Sequence, residues 1–129
     1  MSHPPTYDED DPFLSELRSV CLGLPGTAEV QAWGRPTFRV GGRLFAIFES
    51  REDHPYAMVF RPEPDEHPAL IQDDRVYVPK YFGPSGWLAI DFTAAPVDWI
   101  EIAELAESSY RLVAPAKTVA ALDARRREA

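Results

Sequence analysis

Three arginines spaced four apart, Arg35, Arg39 and Arg43, stand in the stretch Trp33-Gly-Arg-Pro-Thr-Phe-Arg-Val-Gly-Gly-Arg-Leu-Phe-Ala-Ile-Phe48. A guanidinium on a protruding edge pairs with phosphate oxygens, and an aromatic ring beside it stacks on an unpaired base. The combination recurs in Lys80-Tyr-Phe-Gly-Pro-Ser-Gly-Trp87, where Lys80, Tyr81 and Trp87 are the candidates. Arg111 and Lys117 are further candidates for phosphate contact, and Arg111 is also placed to pair with Glu107 one helical turn back. Together these residues form the expected nucleic-acid-binding set.

Other chemistries find less support. The three histidines are His3 near the N-terminus, His54 in a turn and His67 in a proline-rich loop, and none is expected beside a nucleophilic Ser or Cys. Gly83-Pro84-Ser85-Gly86 is not a nucleophile elbow, because Trp87 occupies the position of the second glycine in Gly-x-Ser-x-Gly. There is no Gly-x-x-x-x-Gly-Lys and no Cys-x-x-Cys, so neither a P-loop nor a thiolate zinc site is supported. The acidic run Asp8 to Asp11 reads as a solubilising arm, and no pair of carboxylates stands out as acid and base. No catalytic residue, metal site or cofactor is therefore expected.

The elements that must position the arginines follow from turn chemistry and periodicity. Gly41-Gly42 joins two β-prone runs, and a two-residue primed turn needs positive φ at both central positions. That hairpin register opposes Val40 to Arg43 and Phe38 to Phe45, so Phe38, Val40, Phe45 and Ile47 are expected on one face. Arg35, Thr37, Arg39, Leu44, Ala46 and Phe48 are expected on the other. Further strands are read at Glu29 to Ala32, Tyr56 to Phe60, Val76 to Val78 and Leu88 to Phe92, the last two forming a hairpin with a longer tip. Glu49 to Pro55 reads as a turn, Arg61 to Pro68 as a loop, and Ala69 to Gln72 as one helical turn.

Asp11-Pro12 is a good N-cap and first helical residue, and Phe13, Leu14, Leu17, Val20, Cys21 and Leu24 recur at helical spacing, giving a helix from about Pro12 to Gly23. Cys21 is the only cysteine and falls on the apolar face, as a core residue. Asp98 with Glu101 is a capping-box arrangement that opens a second helix, with Glu101, Glu104 and Glu107 on its polar stripe, and Pro115 ends it. Lys117 to about Arg127 gives a last helix. A helix, a run of about five strands and two helices imply an α+β fold, an antiparallel sheet with helices packed on one face.

At 129 residues the chain suits one domain, read as a flexible acidic arm over 1–10 and a single domain over 11–129. The net charge of −8 opposes a simple polyanion binder, yet residues 31–48 and 110–129 are each net +3, so a basic region on an acidic protein is available. The N-terminus shows no basic stretch followed by an apolar one, and no run approaches membrane-spanning length, so a cytoplasmic monomer without membrane contact is expected.

Trp33 to Ala46, the turn and strand Tyr81-Phe-Gly-Pro-Ser-Gly-Trp-Leu88, and Asp98-Trp99 with Ser109-Tyr110-Arg111-Leu112-Val113 together resemble the MmcQ/YjbR-like family over Pro12 to Leu122. The resemblance implies an α+β fold like that of frataxin-type proteins and a "double wing" DNA-binding role, with DNA or RNA as partner. The chain departs from the family pattern at Ala116, often basic in relatives, and at Arg43, where lysine is common and charge is preserved. The alternative function is a module for a protein or small ligand in the groove between sheet and helices.

Overall fold

The computed structural model describes residues 7–50 and 54–129. Six strands, β1 (Thr27–Ala32), β2 (Arg35–Val40), β3 (Arg43–Glu49), β4 (Ala57–Phe60), β5 (Val76–Tyr77) and β6 (Leu88–Asp91), form one antiparallel sheet in the order β1-β2-β3-β4-β6-β5. The expected count of about five is thus one short. Helix α1 (Pro12–Leu22) precedes the sheet, a single turn α2 (His67–Leu70) interrupts it, and α3 (Trp99–Val113) and α4 (Ala116–Glu128) follow. The turn expected over 49–55 includes residues 51–53, which lie outside the described set.

The helix starts are built as their sequences dictate. Asp11 accepts from the backbone N–H of Phe13 at 2.8 Å and Leu14 at 3.1 Å, and Pro12 opens α1 without wasting a donor. Asp98 caps α3 in the same way, but the capping box is only half made: Glu101 turns away to accept from Arg75 at 2.6 Å. An ion pair to a guanidinium outcompetes a return bond to a backbone N–H that solvent can serve.

Leu14, Leu17 and Cys21 of α1 and Ile102, Ala106 and Tyr110 of α3 pack against Phe38, Phe45, Phe48, Met58 and Phe60 of the sheet. Phe45 and Tyr110 meet edge to face at 5.5 Å. Burial pushes the Cys21 thiol well above its ordinary value, as suits a core residue. The space between sheet and these helices is largely filled by fully buried side chains.

One feature of the sheet reassigns its faces. Arg39 opposes Leu44 but Phe38 opposes Ala46, so Phe45 is an extra residue in β3 and forms a β-bulge. Past the bulge the alternation is inverted. Ile47 lies on the helix-free face and Phe48 and Ala46 on the helix face, the reverse of the expectation for all three. The bulge carbonyl is not wasted: Ser109 of α3, fully buried, donates to the Phe45 oxygen at 2.6 Å and accepts from the Arg61 N–H at 2.9 Å.

Ahead of α1, the part of the expected arm that is described is held in place. Tyr7 donates to Gln31 of β1 at 3.2 Å, and Glu9 shares Arg18 with Glu29. Residues 1–6 of that arm lie outside the described set.

Candidate nucleic-acid interface

Strand direction places the chemistry. β2 runs toward the Gly41-Gly42 turn, β3 runs away from it, and β4, antiparallel to β3, runs back. β6 opposes β4 and β5 opposes β6, so the connection from β5 to β6 returns to the same end. Arg43 on the first tip, Arg61 just past β4 and Lys80 in the second tip are therefore at one end of the sheet. Arg39 is one residue short of the first tip.

The helix-free face is not bare. Ile47, Val59 and Ala89 line up across three strands and are fully buried, with Leu44, Tyr77, Phe82 and Trp87 packed over them. Residues 78–87 supply Phe82 and Trp87 to that cover by folding back across the face as a strap. Gly83 is required within it, since a β-carbon there would stand 2.4 Å from Val78 Cγ1. Phe82 meets Trp87 on one side and Trp33, from the β1–β2 turn at the opposite edge, on the other, each with ring centres 5.8 Å apart. The Arg39 guanidinium lies 5.9 Å from the centre of the Trp33 ring and donates to Thr37 Oγ1 at 3.3 Å.

Two backbone outliers mark this surface. Among the described residues, only Trp33 (φ 55°) and Tyr81 (φ 70°) have positive φ without being glycine. The left-handed region costs an L-residue about 1–2 kcal/mol, and bulky aromatics are rare there. Both side chains are nonetheless turned outward: Tyr81 is 79% exposed and Trp33 47%. Both positions thus hold a bulky aromatic in a backbone conformation that glycine favours.

The expected site residues separate into two groups. Arg39, Arg43, Lys80 and Lys117 make no ion pair among the described residues. Arg43 and Lys80 are exposed, and Lys117 stands in the first turn of α4, whose leading Pro115 abuts the Gly41 turn. Trp87 is half-buried in the strap. Arg35 and Arg111 are committed elsewhere. Arg35 lies 3.3 Å from Glu49, with side chains only 13% and 5% exposed. Arg111 pairs with Glu107, as its spacing implies, and with Asp123 of α4 at 2.7 Å, and it faces the helices. Asp123 and Glu107 raise the Arg111 pKa further, while Arg126 and Arg111 hold Glu107, and Arg111 holds Asp123, below the usual carboxylate range.

Arg61 was not among the expected residues, although it too is exposed at the same end and makes no ion pair among the described residues. Its signal was available: it directly follows a strand that has to end beside the Gly41-Gly42 turn. Elsewhere, His54 stacks on Tyr77 at 3.7 Å and lies 3.6 Å from Asp91. Among the described residues no cluster of His, Cys, Asp and Glu has the arrangement to hold a metal ion, and no helix is long and apolar enough to cross a membrane.

The YjbR family model matches residues 22–112, a span that includes the organising hairpin, the strap and nearly all of α3. The chain belongs to the YjbR family. Of solved structures, the Deinococcus radiodurans protein DR2400, described as a DUF419 domain, is similar to this YjbR chain with a TM-score of 0.67 and 24% identity, over 78% of this chain and 77% of that one. That likeness concerns the fold. No curated protein matches the chain in sequence. For a YjbR domain the motif Ser109-Tyr110-Arg111-Leu112-Val113 acquires a physical content: Ser109 bridges strand ends, Tyr110 donates to the Pro25 carbonyl at 2.7 Å, and Arg111 ties α3 to α4.

Proposed function

We propose that this YjbR domain binds single-stranded nucleic acid across the strap and the adjoining end of the sheet. Arg39, Arg43 and Lys80 make the phosphate contacts, with Lys117 at the margin, and Tyr81 and Trp33 offer ring faces to bases. The observation that carries the reading is the coincidence, around the strap of an acidic protein, of cations that no carboxylate neutralises among the described residues with two strained, outward aromatics. Phosphate binding needs free positive charge, and stacking needs exposed π-faces held in place. Arg35 and Arg111 are outside the proposed interface, because each is already engaged by a carboxylate.

The test is titration of labelled single-stranded DNA and RNA at 50 to 200 mM salt, beside an Arg39→Ala, Arg43→Ala, Lys80→Ala variant. Three phosphate contacts on a single strand give a slope of log K against log salt of about −2, or about a twentyfold loss over that range. The variant is expected to remain folded and to lose that slope. Equal, salt-insensitive binding by both proteins, or no binding at 50 mM, would remove nucleic acid from the reading.

A further inference from the structure

Beside the strap, at the same end of the sheet, an open cleft of about 430 Å³ separates the proline-rich loop after β4 from the single 3-10 turn Gly83–Ser85. Its size lies within the range of small-ligand pockets, large enough for a group well beyond a bare ion. Arg61, His67 and Ser85 line it together with four prolines. The sequence had set His67 and Ser85 apart, in separate loops, and tertiary folding brings them to one cavity. No hydrogen bond joins them among the described residues, so both keep their polar atoms for a ligand.

The lining is unusual for this protein. In a chain of net charge −8, the only ionisable groups lining the cleft among the described residues are an arginine and a histidine, with no carboxylate. Glu63, Asp65 and Glu66 belong to the same loop but are exposed and lie outside the lining. The Arg61 backbone is anchored at the cleft, because its N–H donates to buried Ser109, and its exposed side chain makes no ion pair among the described residues. The prolines add carbon walls with fixed φ and no N–H, so the cleft loses little entropy on filling.

We infer that this cleft is a phosphate-monoester site of roughly nucleotide size, with Arg61, His67 and Ser85 holding the phosphate and the proline walls flanking the organic part. A phosphate offers several oxygens to a guanidinium fork, an imidazole N–H and a hydroxyl at once, which a carboxylate cannot match. The site uses residues other than the nucleic-acid cations, so the two readings succeed or fail separately.

The experiment is a titration of the full chain with inorganic phosphate, adenosine 5′-monophosphate and adenosine, followed through backbone amide signals and by calorimetry. Saturable shifts at His67, Ser85 and Gly86 are expected with the two phosphate-bearing probes and not with adenosine. Tighter binding of the monophosphate identifies an organic phosphoester as the occupant, and equal binding identifies the free anion. Arg61→Gln, an exposed change that leaves the backbone bond to Ser109 intact, is expected to weaken binding at least tenfold, and Ser85→Ala severalfold. The Arg39, Arg43, Lys80 triple alanine variant is expected to bind as the parent does. Adenosine binding as tightly as its monophosphate, no saturable shift with either phosphate, or unchanged binding in Arg61→Gln would overturn the assignment.

Discussion

The two faces of the sheet solve the same problem differently. On the helix face, apolar burial is nearly complete and the charged groups around it are matched: Arg18 with Glu9 and Glu29, Arg75 with Asp73 and Glu101, Arg111 with Glu107 and Asp123. On the other face a loop replaces the helices. The strap buries Ile47, Val59 and Ala89 but leaves strained aromatics outside and cations unmatched at its rim. Matched charge and filled volume serve stability, whereas exposed strain and unmatched charge cost it, so the second face carries features that stability alone does not select.

The sharpest way to break that comparison is Arg35, which the face assignment puts with the rim but whose partner puts it with the scaffold. Arg35→Ala would take one guanidinium from the nearly buried Glu49, which also accepts from the Ser50 N–H, and losing a contact to a charged group costs about 2 kcal/mol. Chemical denaturation should show that loss, while Arg43→Ala, an exposed change, stays within about 0.5 kcal/mol of the parent. Equal stability of the two variants would mean that Arg35 is a rim residue after all.

Ser109→Ala comes next. It deprives the Phe45 carbonyl and the Arg61 N–H of a shared partner, and each buried group left unpaired costs about 1 kcal/mol or more. A loss of about 2 kcal/mol is expected, seen as a melting temperature lowered by about 7 °C for a domain of this size. A change within 2 °C would show that the bulge is satisfied by other means and that α3 does not anchor the strand ends.

Much of the scaffold was legible because its signals are local. Gly41-Gly42 turns with φ of 57° and 77°, Asp11 and Asp98 cap their helices, and the apolar period of α1 selects the residues it buries. The bulge was not legible, because Phe45 and Ala46 are both apolar and nothing in the sequence marks which is extra. Its consequence is larger than one residue. The unbulged hairpin would set Arg35 opposite Phe48, whereas the observed register, with Thr37 opposite Ile47, brings it level with Glu49 and so makes the ion pair. Trp33 was read correctly as part of a motif but not as a turn residue, since Trp-Gly lacks the Asn-Gly chemistry that a primed turn favours. The strap and the cleft depend on a loop crossing strands far from it in sequence, and no local pattern encodes that.

The smallest expected effect concerns pH, and it separates the faces by their carboxylates. Arg75 donates to Asp73 through its side chain and its backbone N–H, which lowers the Asp73 pKa from 3.8 to about 2. Because the unfolded chain takes up the proton first, this pair stabilises the fold fully above about pH 4, and its contribution is lost as pH falls toward 2. Glu107, lowered by Arg126 and Arg111, acts with the same sign. The Asp73 side chain is one-third exposed, so solvent screening keeps the effect small. Melting temperatures measured from pH 5 down to 2.5 should therefore fall for the parent and fall less for Asp73→Asn, which has no proton to gain there. Lys80→Ala should follow the parent curve, because the rim is not paired to these carboxylates. A Lys80→Ala curve that flattens as Asp73→Asn does would connect the rim to the ion pairs of the helix side, and the division between a scaffold face and a binding face would not hold.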